Sequence, residues 1–254
     1  MNRQTSGLIK IDELELELNN YEKTMKIRTI VAGSLAVLLA AALPVRTPGQ
    51  TIAYSSAPSG SKMRIEGTAN MIHTTWWVEG TYILGGLQVG PGFPTEPGQT
   101  VTPGKVEAQA TNVFIQVRSL KSVEKDGTPY SASMDDIMYD HLNVEKFPAI
   151  RFHLTELTLK EAPKSKDAPY LFESKGQLAV AGVTNTISMP VQVLPLEGKK
   201  LKITGAITLK MSDFKVGPVQ PKITLGIIKT GDEVKLSFDW MLRQWIPRGA
   251  AASK

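Results

Sequence analysis

Apolar and polar residues alternate over much of the chain, the two-residue period of strands with one buried and one wet face. Ile150, Phe152 and Leu154 alternate with Arg151, His153 and Thr155. Phe172, Leu178 and Val180 share a parity against Glu173, Lys175 and Gln177, and Ile187, Met189, Val191 and Val193 alternate with Ser188 and Gln192. Leu201, Ile203, Ile207 and Leu209 oppose Lys202, Thr204, Thr208 and Lys210. Val234, Leu236, Phe238 and Trp240 oppose Lys235, Ser237 and Asp239. Val113, Ile115 and Val117, then Ile223, Leu225 and Ile227, follow the rule less cleanly. Glu197-Gly198-Lys199, Thr230-Gly231-Asp232 and Gly182–Asn185 fit hairpin turns between these runs, and Ala162–Pro169 reads as a longer polar loop. With further strands near 62–70 and 73–89, the pattern predicts about eight or nine antiparallel strands.

One helix is predicted, over Ser131–Leu142. Ser131 or Ser133 supplies its N-cap, and Asp135 and Asp136 fall in the first turn, where the helix dipole favours acid. Many strands with a single polar face and almost no helix mean a closed barrel or a two-sheet sandwich. A barrel of about eight strands is either filled by its own side chains or holds one small ligand. The inward parity nominates Ile115, Phe152, Leu178, Met189, Ile203, Ile207, Leu225 and Phe238 as ligand contacts. Such a wall has few polar groups to orient a water-soluble molecule, so it suits an oily one. From the Trp76-Trp77 pair, Trp77 is the candidate to stack on a ligand or line the barrel mouth, with core packing the alternative. His73, at the end of the preceding turn, is read as a headgroup contact or as a hydrogen-bonded structural residue.

The N-terminus carries a different pattern. Ile30–Leu43 is a run of 14 residues without a charge. That is short of the roughly 20 needed to span a bilayer and within the roughly 7–15 of a secretory h-region. Lys26 and Arg28 precede the run, and Ala40-Ala41-Ala42 offers a cleavage site. Residues 1–42 are therefore expected to be a signal peptide cleaved near Ala42, the alternatives being an uncleaved anchor or a buried helix. Residues 1–24 are acidic, which suits an n-region poorly; Met25 opens an orthodox signal, so they read as a mis-assigned start or an unusually long n-region. Residues 43–61, rich in Pro, Gly, Ser and Thr, are expected to be a flexible leader. The folded domain is then 62–245, with a disordered tail over 246–254. The expected location is periplasmic or secreted.

Composition narrows the function classes. Of 254 residues, 42% are hydrophobic and 21% charged, which excludes a disordered chain. The net charge of +5 is scattered, its densest run being Lys199-Lys200-Leu201-Lys202. Nucleic-acid binders cluster such charge, so no nucleic-acid partner is expected. The chain has no cysteine, which removes disulfides, thiol nucleophiles and Cys-ligated metals.

The candidate catalytic motifs have simpler readings. Asp135, Asp136 and Asp140 resemble half of the aspartate-rich site of prenyl-transferring enzymes, but those are all-helical and need two clusters; solvated helix acids are the expectation. Lys229-Thr230-Gly231 with Ser122 and Lys125 superficially matches a serine β-lactamase set, yet no S-D-N follows and S-x-x-K recurs at Ser59 and Ser212. His73, His141 and His153 have no metal-binding spacing. No enzyme activity, metal or cofactor is expected.

Several ordered motifs resemble the YceI-like family. Met134-Asp-Asp-Ile-Met-Tyr-Asp-His-Leu-Asn-Val-Glu-Lys-Phe-Pro-Ala-Ile-Arg-Phe152 is similar to its short acidic helix followed by Phe-Pro and Ile-x-Phe. Gly176-Gln-Leu-Ala-Val-Ala-Gly-Val-Thr184 is similar to its G-x-L-x-h-x-G-V-T strand pair, where h is apolar. Met211-Ser-Asp-Phe-Lys-Val216 resembles its S-D-F segment and Gly231-Asp-Glu-Val-Lys-Leu236 its last strand. Ile65-Glu-Gly-Thr-Ala-Asn-Met-Ile-His-Thr-Thr-Trp76 resembles the opening of one branch. The insert Gly90–Gly104 is unlike the commonest members and reads as a lid or a surface loop. The resemblance implies an exported, eight-stranded, antiparallel, lipocalin-like β-barrel that holds a polyisoprenoid or other amphiphilic lipid for sequestration or transport. Transient contact with a membrane surface is expected, and the oligomeric state is left open, a homodimer included. The competing class is a structural or stress-associated interaction protein with a filled barrel.

Overall fold

The computed structural model describes residues 51–70, 75–217 and 230–246. The expected signal 1–42, the start of the leader, His73, Leu225 and the strand expected over 223–227 lie outside them. The described strands are β1 (Ile52–Ser56), β2 (Lys62–Ala69), β3 (Thr75–Gly80), β4 (Leu84–Val89), β5 (Gly104–Lys105), β6 (Ala108–Gln116) and β7 (Lys121–Val123). After helix α1 (Ala132–His141) come β8 (Ala149–Glu161), β9 (Tyr170–Val180), β10 (Val183–Leu196), β11 (Lys200–Lys210) and β12 (Thr230–Gln244).

Eight of these close a ring in the order β1-β4-β6-β8-β9-β10-β11-β12, with β12 returning to β1. The all-β, eight-stranded antiparallel barrel with one short helix is thus what forms, and the sandwich is not. Closure uses β12 twice. Its last residues pair with β1 (Tyr54 with Gln244), whereas its first two-thirds pair with β2 (Leu236 with Ile65, Phe238 with Met63). From β2 the sheet continues through β3 to β7, and this flap carries α1 against one end of the barrel.

The alternating runs place their apolar side chains inward. Phe172 and Leu178 in β9, Met189, Val191 and Val193 in β10, and Leu201 and Ile203 in β11 are buried. In β8 the register shifts between Leu154 and Glu156, so the inward set changes parity from Ile150 and Leu154 to Leu157 and Leu159. Such a bulge bends and twists a strand where a small barrel must curl.

Three expectations are corrected. Residues 43–61 are not wholly a leader, because Ile52–Ser56 forms β1 and Tyr54 is buried. The barrel closes only when β4 and the end of β12 share this partner, and that pairing outweighs a turn-rich composition. Thr230-Gly231-Asp232 is not a hairpin turn but the start of β12, in irregular register with β2. The turn expected over Gly182–Asn185 sits two residues earlier, because Val183 already pairs with Val180. Ala181 and Gly182 have φ of 48° and 83°, the two positive values that a two-residue primed turn requires. Glu197–Lys199 is a turn as expected, and Ala162–Pro169 joins β8 to β9.

Candidate functional site

The barrel interior contains two adjacent apolar chambers that share Ile150, Leu178 and Leu236 in their walls. The narrow one, about 130 Å³, lies among Met63, Leu87, Phe93, Met189 and Trp240. The wide one, about 550 Å³, lies between the strands and α1, walled by Ile65, Trp76, Met134, Ile137, Met138 and Met211. Ligand cavities commonly fall between roughly 300 and 1,000 Å³, so the wide chamber alone has a ligand's dimensions.

Ile115, Phe152, Leu178, Met189, Ile203, Ile207 and Phe238 all line the narrow chamber, and Leu178 faces both. Their parity brings them together around one space. Trp77 borders the wide chamber, but its indole N–H donates to Glu66 Oε2 at 2.9 Å and its ring carries the Arg64 guanidinium 5.4 Å from the centroid. The inward member of the pair is Trp76, which packs against the core. Gly67 makes room for it from the facing strand, since a Cβ at that position would lie 2.1 Å from the Trp76 ring. Strand alternation puts one of two adjacent tryptophans inside, and the glycine opposite decides which.

The helix face is a feature that the acidic reading of this segment misses. Met134, Ile137, Met138, His141 and Leu142 recur at helical spacing along one wall of the wide chamber. The other face anchors the helix. Asp135, expected to be solvated, is buried; it accepts the Ser122 backbone N–H at 2.6 Å and pairs with Lys121 at 3.2 Å. Tyr139 is buried beside it and donates to the Leu120 carbonyl at 2.8 Å, with the Lys121 ammonium 5.3 Å from its ring centroid. Asp136 and Asp140 are exposed, as expected of solvated acids.

Polarity is distributed unevenly between the chambers. Among the residues lining the narrow one, Ser174 is a buried polar group, and Arg151 is an exposed residue with its guanidinium over the Phe114 ring. The wide chamber is bordered by Glu124, Tyr130, Ser133, His141, Lys210 and Thr230. At the start of β9, burial raises the Tyr170 phenol above its ordinary value of 10.0, and its hydroxyl donates to the Gln99 carbonyl. Among the described residues no cluster of three or more His, Cys, Asp or Glu is placed to hold a metal ion. The arrangement can enclose an apolar chain and leave a polar group near α1.

The model of the YceI-like domain matches residues 54–242. The chain belongs to the YceI-like family. No curated protein matches it. Among solved structures it is similar to a polyisoprenoid binding domain from Saccharophagus degradans implicated in plant cell wall breakdown. That similarity has a TM-score of 0.53 and 13% identity, over 76% of this chain and 99% of that one. It is also similar to Burkholderia cenocepacia BcnA, with a TM-score of 0.47 and 21% identity over 71% and 95% of the two chains. A Campylobacter jejuni YceI protein matches with a TM-score of 0.39 and 16% identity over 61% and 92%. The first of these supports the barrel fold.

Proposed function

We propose that this protein is a non-enzymatic carrier that holds one long-chain isoprenoid or other amphiphilic lipid inside the barrel. The observation that carries this reading is the apolar wide chamber of about 550 Å³, which shares a wall of Ile150, Leu178 and Leu236 with the narrow one. A barrel that serves only as a structural element would spend its inward residues on filling that space. Burying each CH₂ of a guest is worth about 0.8 kcal/mol relative to water. A lipid has already gained that in a membrane, so uptake and release take place at a bilayer surface. The tail enters the narrow chamber, and the head stays beside α1 among Ser133, His141 and Lys210. The similarity to a polyisoprenoid-binding domain favours a prenyl-type guest. The signal-like N-terminus supports a carrier of the periplasm or the cell exterior, with its mature end near Leu43.

The orientation is testable by tryptophan quenching. Trp76 lines the wide chamber and Trp240 the narrow one, whereas Trp245 is exposed. In variants that keep one tryptophan each, a fatty acid brominated at its terminal carbon is expected to quench Trp240. Bromination near the carboxyl is expected to quench Trp76. Quenching of Trp245 alone would remove the interior as the binding site.

A further inference from the structure

The narrow chamber ends on a residue of the insert Gly90–Gly104. Phe93 is buried at 2% exposure and lines that chamber. Its ring stacks on Phe172 of β9 with centroids 5.7 Å apart. Pro94 is buried beside it. The rest of the insert fastens this pair in place. Gln99 Oε1 accepts the backbone N–H of Thr95 at 2.9 Å, and the Thr95 hydroxyl and Glu96 N–H at 3.3 Å. The hydroxyl of Tyr170, itself fully buried, donates to the Gln99 carbonyl. At the insert's base the Gly90 N–H donates to the Glu107 carbonyl at 2.8 Å. Gly98, with φ of 71°, comes so close to the loop Ala162–Pro169 that a Cβ there would lie 3.1 Å from Lys166. A segment bonded at its base, its middle and against a neighbouring loop is a fixed plug, which answers the choice between lid and surface loop.

We propose that Phe93 is the depth stop of the barrel, the residue that limits how long an apolar tail the protein accepts. This rests on the carrier reading and deepens it. The narrow chamber is about 130 Å³, close to the roughly 150 Å³ of an apolar cavity that admits a single benzene ring. It takes the last few carbons of one tail and no second chain. The ligand class is therefore a single-tailed amphiphile of bounded length, whose polar end stays at the wide chamber and whose tail terminus meets the Phe93 ring. A longer tail would have to fold back or leave part of itself in water, and each methylene left out forgoes its burial.

The test uses the full protein and an even-numbered series of saturated straight-chain fatty alcohols, competed against a fluorescent fatty acid. For wild type, affinity should rise with each added methylene by up to about fourfold, the factor equivalent to 0.8 kcal/mol per buried CH₂. It should then stop rising at a defined length. Phe93→Ala should move that break to longer alcohols by at least one step of the series. Phe93→Trp should move it to shorter ones, and this variant keeps the question answerable if the alanine protein does not fold. A break at the same length in wild type and in the folded variants would overturn the depth stop while leaving the carrier reading intact. No binding of any alcohol or of the fluorescent probe by folded wild type would overturn both.

Discussion

Replacing Met189 with tryptophan separates a barrel built to hold a guest from one filled by its own side chains. Met189 lies in β10 opposite Ser174, is 7% exposed and lines the narrow chamber. An indole in place of the thioether adds somewhat less than a benzene ring's bulk, and the chamber offers about 130 Å³ to receive it. The variant should therefore fold with a stability within about 1 kcal/mol of wild type, whereas the same change in a filled core costs about 1–3 kcal/mol. The space lost would have held two or three methylenes of a tail. At about 0.8 kcal/mol each, their eviction weakens binding by about 2 kcal/mol, or roughly thirtyfold. Thr208→Trp is the control, since Thr208 is exposed on the opposite parity of β11. Thermal melts and titrations with a fluorescent fatty acid on the three proteins give both quantities. A Met189→Trp protein destabilised by several kcal/mol, with probe affinity unchanged, would refute the reasoning.

Asp135→Ala should destabilise by about 1–3 kcal/mol, because it leaves the Ser122 N–H without its acceptor, while Asp136→Ala and Asp140→Ala should stay within about 0.5 kcal/mol in urea titrations. Burial pushes the Glu79 carboxyl up, but hydrogen bonds and charge from Lys62 and Arg64 outweigh it and hold the pKa below its ordinary 4.5. Its contribution is therefore complete above pH 4.5 and is lost as pH falls through the lower folded value. Urea midpoints of wild type and Glu79→Gln should accordingly differ at pH 7 and converge in acid; an equal gap at both would count against this pairing. Gly67→Ala should displace the Trp76 indole and cost about 1–3 kcal/mol, read as a lower melting temperature with a shifted tryptophan emission.

The long strands were legible because each keeps one face in oil and one in water. Met189, Val191 and Val193 against Ser188 and Gln192 leave no other period to fit. The short closing strand was not, since Ile52 and Tyr54 are two apolar positions within a Pro-, Gly- and Ser-rich stretch. Their strand partners lie far along the chain, at Val89 and Gln244. The same holds for Asp135. First-turn acids are ordinarily solvated, and nothing local says that a strand thirteen residues earlier presents Ser122 to this one. Trp76 could have been chosen over Trp77 only by knowing the register that sets Gly67 opposite it. Phe93 carried a faint signal, a lone aromatic followed by proline in a segment otherwise made for turns. The amphipathic face Met134, Ile137, Met138, Leu142 is present at helical spacing, but the aspartates between those residues make charge the stronger signal of the segment.

The central claim, that one apolar chain sits inside this barrel, is tested most directly by native mass spectrometry of the protein purified from the cells that naturally make it. The account predicts a species heavier than the polypeptide by the mass of one amphiphile. That excess should disappear on organic extraction, and the extracted compound should restore it when added back. Bare polypeptide mass in protein that has never met solvent or detergent, with no uptake from lipid vesicles, would contradict the account.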